Sequence, residues 1–347
     1  MTAAPAPSRL GVRDRLARDP YLTRMIIVLV ALLAFFAIVK PSQFFGLRTW
    51  TGMAVQFPEF GIMALGVMIT MFTAGIDLSM VSVANLTGII TAYMLKAALP
   101  AEATGTNYVL SVLLAVLMAV IVGGACGAFN GFLISRVKIP PILATLGTLE
   151  LFGGIAIVIS EGKGVPGFKP FSDVITGKLL GVIPIQLVVF LVCVAVIGSL
   201  LTFTGFGTKI LMLGTNETAA RFSGMKVTSL LMRTYILSGM LAGIAGVIML
   251  ATYNSAKAGN AEPYTLLTIL IVVLGGVNPN GGKGRITGVI LAILTLQILA
   301  SGLNMFPDIS NFYRPLIWGG VLLAIITMDE FKGGAVLSRL LTRKAES

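Results

Sequence analysis

The sequence contains no histidine, two cysteines and few charged residues. Of its 347 residues, 11% are Asp, Glu, Lys or Arg, against about 25% in soluble domains. The absence of histidine excludes imidazole metal ligands, histidine general bases and Ser-His-Asp triads. Cys126 and Cys193 both lie inside apolar runs, so we expect two small buried side chains and no disulfide. The chain therefore has little from which to build a catalytic site.

Apolar residues and glycine are abundant instead. The chain is 56% hydrophobic, with a mean hydropathy of +0.96 and 40 glycines. Its apolar runs are continuous and not alternating, which favours membrane helices over a β-barrel, and small residues allow such helices to pack closely. The sequence thus predicts an all-α integral membrane protein in contact with lipid. The net charge of +11 does not indicate nucleic-acid binding, because the basic residues stand at the ends of apolar runs and act as topology signals.

Ten apolar runs approach the length of about 20 residues that crosses a bilayer. Some are short or interrupted. The second contains Pro58-Glu59 and is followed by Thr73 to Asp77, so we expect a kink and then a non-helical break. The predicted spans are residues 25–39, 52–73, 80–99, 108–134, 142–160, 183–203, 232–252, 264–277, 285–303 and 312–328.

Orientation follows from the distribution of basic residues, which remain in the cytoplasm. With the N-terminus inside, we place 17 of the 25 Lys and Arg residues in cytoplasmic segments. An even number of spans then puts both termini in the cytoplasm, with tails at 1–24 and 331–347 around a membrane domain at 25–330. Lys40-Pro41-Ser42-Gln43 follows the first run where a cleaved signal peptide would have small residues, so we expect no cleavage there.

A polar island, Gly214 to Lys226, separates two long apolar runs. Thr215 or Asn216 as N-cap, Glu217 in the first turn and Gly224 at the end predict a short capped helix, on the cytoplasmic side. The sequence has no arginine ladder of a voltage sensor and no paired proton relay. The island is therefore the best candidate for the place where a motor protein docks; the alternative is a solvated connector helix.

Polar residues within the spans are candidates for a transport pathway, because charge is costly in a membrane. Asp77 directly precedes the third span, and its simpler interpretation is an N-cap. Asn85 and Asn130 also suit hydrogen bonds between helices, while Glu59 and Glu150 could line a polar cavity, interact with neighbouring amides or face a subunit interface. The pathway candidates are Glu59, Asp77, Asn85, Asn130 and Glu150. We expect no metal and no cofactor.

Three stretches resemble the signatures of one family. Thr73-Ala74-Gly75-Ile76-Asp77-Leu78-Ser79 resembles TGGIDLS, with Ala74 in place of the usual first glycine; Ile139 to Thr148 resembles PxFIATLGT. Gly214 to Gly224 resembles the cytoplasmic segment G-x-N-x-x-A-A-x-x-S-G-I. The matches run in order between about residues 50 and 330. By this resemblance the chain is similar to the permease subunits of bacterial ATP-binding-cassette importers for ribose and similar monosaccharides, a branch that includes autoinducer-2 permeases.

The resemblance implies a type II importer permease. Its subunits have about ten helices and pair around a pathway in the bacterial inner membrane, with two cytoplasmic ATPase subunits and a periplasmic sugar-binding protein. The chain itself would not be an enzyme and would move a monosaccharide or sugar-like solute by alternating access. The island would be the coupling helix, with ATPase contact carried over to Asn216, Glu217, Ala219, Ala220, Arg221 and Gly224. The alternative is an ATP-independent secondary transporter or channel. The sequence does not identify the sugar, and it does not distinguish a homodimer from a heterodimer.

Overall fold

The computed structural model describes residues 20–98, 106–306, 313, 316–320 and 323. The first helix already begins at Pro20, inside the predicted N-terminal tail. The rest of that tail, the C-terminal tail and most of the predicted span 312–328 lie outside the described residues.

Helices make up nearly all of the described chain. They are α1 (Pro20–Val39), α2 (Pro41–Phe44), α3 (Leu47–Phe72), α4 (Met80–Ala98), α5 (Thr106–Phe132), a π-helical turn (Leu133–Val137), α6 (Pro141–Ser160), α7 (Lys169–Ile175), α8 (Ile185–Phe203), α9 (Gly205–Thr215), α10 (Glu217–Phe222), α11 (Val227–Tyr253), α12 (Tyr264–Leu274) and α13 (Ile286–Leu303). Two-residue strands are β1 (Val165–Pro166), β2 (Lys178–Leu179), β3 (Ile183–Pro184) and β4 (Ser255–Ala256). The antiparallel pairs are β1 with β4 and β2 with β3.

Seven helices in the described part of the chain are long and apolar enough to cross a membrane: α3, α4, α5 with its π-helical turn, α6, α8, α11 and α13. Each coincides with a predicted span. The predicted spans 25–39 and 264–277 correspond to shorter apolar helices, Met25–Val39 and Tyr264–Leu274. The protein is therefore a multi-pass, mostly helical membrane protein.

The core is formed by α3, α4 and α11. Most of their residues are buried against one another, whereas α5, α6 and α8 turn many apolar side chains outward. Such outward apolar faces suit contact with lipid or another subunit. Cys126 and Cys193 are buried and free, as expected.

Glycine brings α5 and α11 into backbone contact. A Cβ atom on Gly127 would lie 2.1 Å from the carbonyl oxygen of Tyr235, and one on Gly239 would lie 2.1 Å from that of Gly123. Gly123 and Gly127 on α5 face Gly239 and Gly243 on α11, the small-xxx-small arrangement of close membrane helix pairs. Part of the high glycine content thus serves the close packing of α5 against α11.

The break after the second predicted span is confirmed. α3 runs through Pro58 as one helix and ends at Phe72, and the chain is non-helical until α4 begins at Met80. Ala74 within this break has a φ of 60°. That left-handed conformation costs a residue with a Cβ about 1–2 kcal/mol, which explains physically why glycine is the usual residue at this signature position.

Candidate functional site

A cavity of about 680 Å³ opens among α3, the end of α11, the start of α12 and α13. Its volume lies within the range of about 300–1,000 Å³ that is typical of small-molecule sites. Its walls combine a carboxylate, three amides and aromatic rings, with two cations: Glu59, Gln56, Gln297, Asn304, Tyr253, Tyr264, Trp318, Arg48 and Lys178. A second cavity of about 400 Å³ shares Arg48, Gln56 and Asn304 with it. This is a surface suited to a polar, uncharged solute.

Glu59 is the buried carboxylate of this cavity, with 2% of its surface exposed. Its Oε1 accepts a hydrogen bond of 2.8 Å from the Tyr253 hydroxyl and another from the Tyr264 hydroxyl, and the two hydroxyls are 3.1 Å apart. Its Oε2 is buried and has no hydrogen-bond partner among the described residues. Sequence reasoning selected Glu59 but missed both tyrosines. They stand at the ends of apolar runs, where the free-energy cost of placing a polar hydroxyl group is lowest.

Two glutamines continue the polar wall. Gln297 donates to Ser301 Oγ at 2.9 Å and to Gln56 Oε1 at 3.4 Å. The side chain of Gln56 is exposed, and it lies one turn of α3 before Glu59. Each amide carries both donors and acceptors, so this wall can exchange hydrogen bonds with hydroxyl groups in either direction.

Asn85 holds the connection between α11 and α12. It donates to the carbonyl oxygen of Ala258 and accepts from the backbone N–H of Ala261 at 3.1 Å. Both ends of its amide are thus engaged with one loop. That geometry favours a structural contact with the loop over a direct role in the pathway.

Asp77 lies in a buried hydrogen-bond network at the start of α4. Ser79 is the residue before the helix, and Asp77 Oδ1 accepts from the Ser79 N–H at 3.1 Å and from its hydroxyl at 2.7 Å. Asp77 Oδ2 accepts from the Ser238 hydroxyl of α11 at 2.7 Å. Oδ1 therefore binds a backbone N–H at the start of α4, as the capping interpretation expects, while Oδ2 binds another helix.

Asn130 extends this network to α5 and α6. It donates to Ser79 Oγ at 2.7 Å and accepts from the Thr148 hydroxyl at 2.6 Å. The hydroxyl of Thr145 donates to the carbonyl oxygen of Ile76 at 2.8 Å. The signature at 73–79 is thereby tied to the second matched stretch, 139–148.

Replacing Asp77 by alanine is expected to destabilise the bundle. Two hydroxyls and one N–H lose their acceptor, and each buried unsatisfied group costs about 1–3 kcal/mol. We expect a clear fall in the melting temperature of the detergent-purified protein. Asp173→Ala is the matched control, because Asp173 is exposed on α7. Equal melting temperatures for the two variants would contradict the structural role of the network.

Glu150 is exposed on α6 and does not line the large cavity. Its neighbours Leu146 and Leu151 are exposed as well. A carboxylate on the outer face of a membrane helix is costly in lipid. Of the three alternatives for Glu150, this position favours a subunit interface.

The polar island folds as predicted into a capped helix, α10. Asn216 is its N-cap, with Oδ1 accepting from the Ala219 N–H at 2.9 Å. Gly224, with a φ of 77°, ends the helix. Its N–H donates to the carbonyl oxygen of Arg221, and the N–H of Met225 donates to the carbonyl oxygen of Ala220. This is a Schellman motif, which uses the free carbonyl groups of the last turn.

The outer face of α10 is charged and aromatic. Glu217 and Arg221 form an ion pair one turn apart, and both are exposed. Ala220 is buried and anchors the helix to the core. Phe222 is 89% exposed. Sequence reasoning missed Phe222, although a single aromatic residue in a polar island is a signal of a contact surface.

Close backbone contact connects the end of α9, just before α10, to α3. A Cβ atom on Gly214 would lie 1.9 Å from the carbonyl oxygen of Phe72, the last residue of α3. That same carbonyl accepts from the Gly282 N–H at 3.2 Å, and a Cβ on Gly281 would meet Ala74. Three glycines therefore bring the island, the end of α3 and the loop after α12 together.

Basic residues surround α10. Arg136, Arg221 and Lys226 line a surface groove of about 600 Å³, and Lys209, Lys226 and Arg233 line a neighbouring one of about 440 Å³. This distribution would attract an acidic partner surface.

Comparison with known proteins gives one consistent result. The family model described as "Branched-chain amino acid transport system / permease component" matches residues 50–327. Among curated relatives, the D-allose transport system permease protein AlsC of Escherichia coli is 31% identical, covering 90% of this chain and 91% of its own. The ribose import permease protein RbsC of Haemophilus influenzae is 31% identical, covering 89% and 93%.

The autoinducer 2 import system permease protein LsrD of Yersinia enterocolitica is 32% identical, covering 78% of this chain and 80% of its own. No solved structure gives a significant match. The matched region contains the signature break, all of the cavity lining except Arg48, and α10. The chain therefore belongs to the permease-component family described for branched-chain amino acid transport systems, and it is similar over most of its length to the sugar and autoinducer-2 permeases of ATP-binding-cassette importers.

Proposed function

We propose that the chain is the permease subunit of a binding-protein-dependent, ATP-driven importer of a monosaccharide or sugar-like solute. Two such subunits, of about ten helices each in a type II arrangement, surround the pathway. A periplasmic binding protein delivers the solute, and two ATPase subunits bind on the cytoplasmic side, where both termini lie. The solute crosses by alternating access. The names of the ribose, D-allose and autoinducer-2 relatives support this substrate class.

The observation that carries the proposal is the position of α10. Its exposed face presents Glu217, Arg221 and Phe222. Gly214, in the last turn of α9 and two residues before the N-cap of α10, packs on Phe72. From Phe72, α3 continues for about 20 Å of helix to Glu59 in the cavity wall. A motor that displaces α10 together with the end of α9 would therefore move the pathway through α3.

The six carried-over residues have distinct roles in this proposal. Asn216 and Gly224 cap α10 and keep it rigid, and Ala220 seats it on the core. Ala219 is small and exposed, which permits close approach of the ATPase. Glu217 and Arg221 set the charge pattern that the ATPase reads.

The test is uptake by proteoliposomes that contain the permease, its ATPase and its binding protein. We expect uptake of labelled D-ribose or D-allose, or of a related sugar, that requires ATP and stops with a hydrolysis-deficient ATPase. Uptake driven by an ion gradient without nucleotide would instead support the secondary transporter or channel.

Reversing one charge of the α10 ion pair is expected to impair coupling more than folding. An exposed pair at this spacing contributes about 0.3–0.5 kcal/mol, so Arg221→Glu and Glu217→Arg should melt near the parent temperature. Their ATP-driven uptake should fall about tenfold, the effect of about 1.4 kcal/mol at the ATPase contact. The double variant restores the pair but presents reversed charges to the ATPase, and we expect it to remain impaired. Full recovery in the double variant would limit the pair to a role inside α10.

A further inference from the structure

We infer that Glu59 is the substrate-reading residue of the cavity, where its unpaired oxygen receives a hydroxyl group of a neutral sugar or polyol. The inference rests on the proposed function and adds a recognition site within the permease itself. It assigns to one carboxylate a selectivity that the binding protein alone would otherwise supply.

The unpaired oxygen is the first argument. Glu59 is almost completely buried, and its Oε2 accepts no hydrogen bond from the described residues, although Oε1 accepts two. Asp77 shows what a carboxylate with a structural role looks like in this protein, because both of its oxygens are bonded. Burying an unsatisfied carboxylate oxygen is unfavourable. A ligand in the cavity that donates a hydroxyl would remove this cost.

The charges around the cavity indicate a neutral ligand. Within the described chain, the ion pairs are Lys163 with Glu161 and Arg221 with Glu217, so Glu59 has no cationic partner there. A cationic ligand could fill that role, but Arg48 and Lys178 line the same cavity and would repel it. Hydroxyl groups avoid this repulsion and still donate to a carboxylate.

The other walls complete the chemistry of a sugar site. Gln56 and Gln297 offer amide donors and acceptors near Glu59, and Trp318 offers a ring against which the apolar face of a sugar can pack. Tyr253 and Tyr264 hold the carboxylate in place from the two ends of the α11–α12 connection. The carboxylate is thus preorganised, with one oxygen left for the ligand.

Tryptophan fluorescence provides a direct test, because the chain contains two tryptophans, Trp50 and Trp318. In full-length permease carrying Trp50→Phe and held in lipid nanodiscs, Trp318 alone reports on the cavity. Titration with D-ribose and D-allose is expected to give a saturable change for at least one. Glu59→Gln keeps the shape and the tyrosine contacts but replaces the acceptor by a donor, and its apparent Kd should rise about tenfold or more.

Matched variants make the result specific. Glu161→Gln removes an exposed carboxylate that does not line the cavity, and it should leave the titration unchanged. Gln56→Leu is a second cavity variant, and it too should weaken sugar binding. Because Gln56 is exposed, this variant should fold even if Glu59→Gln does not. Unaltered binding in either cavity variant overturns the inference.

The choice of ligand separates the remaining outcomes. Saturable binding of cationic D-glucosamine without binding of the neutral sugars overturns the neutral-ligand assignment, and so does the absence of any response while ATP-driven sugar uptake is intact. Glu59-dependent sugar binding without ATP-driven uptake would support this site and contradict the proposed function. The experiments can therefore contradict the inferred site and the proposed function independently of each other.

Discussion

Replacing Phe222 by alanine is expected to abolish most ATP-coupled uptake while leaving the permease folded. Its side chain is 89% exposed at the C-terminal end of α10, so truncation removes little internal packing. Aromatic anchors of protein interfaces cost about 2 kcal/mol or more when truncated to alanine, which corresponds to about a 30-fold loss of affinity. Uptake in proteoliposomes and co-purification with the ATPase should fall together.

Phe203 provides the control for this prediction. It is 85% exposed at the end of α8 and stands outside the polar island. Phe203→Ala should therefore retain ATPase binding, and both variants should elute and melt like the parent. Parent-level uptake by Phe222→Ala would remove α10 from the ATPase contact and, with it, the main support for the proposed function.

The capped helix could be predicted because its determinants are local. Asn216 and Gly224 act on N–H and carbonyl groups within four residues of themselves, and cap chemistry depends on residue type at fixed spacing. The bounds of the long spans were predictable for a similar reason, since run length alone decides whether a segment crosses lipid.

Partners across the chain could not be predicted in this way. The tyrosines on Glu59 are 194 and 205 residues away, and Ser238 is 161 residues from Asp77. Which hydroxyl meets which carboxylate depends on the relative rotation of packed helices, and the hydrophobic pattern of a span does not fix that rotation when apolar residues surround it. The sequence therefore indicated the polar residues but not the cavity.

The signature departure at Ala74 had a structural meaning that only the fold revealed. As a sequence feature it was one substitution in a motif. In the structure it is a residue with a Cβ at positive φ, beside the junction of α3 with Gly281. The strained backbone of Ala74 thus lies next to the end of α3, where the proposed coupling path begins.

The contact between α5 and α11 places a strict limit on side-chain size. At Gly127 the nearest atom to an added Cβ is a backbone carbonyl oxygen of α11. A flexible side chain could move aside, but a helix backbone cannot move without displacing its other contacts. α11 also packs against α3 and α4 in the core, so any shift would spread to the signature network.

Substitution of Gly127 by leucine is therefore expected to prevent correct folding. Overpacking a core usually costs about 1–3 kcal/mol, and a contact of 2.1 Å with backbone should exceed that range. We expect loss of the monodisperse detergent-solubilised species, or a large fall in its melting temperature. Gly154→Leu on α6 meets no atom within 4 Å of its Cβ and, with the same added volume in a membrane helix, should fold normally. If Gly127→Leu and Gly154→Leu are equally stable, close packing of α5 on α11 does not hold the core together.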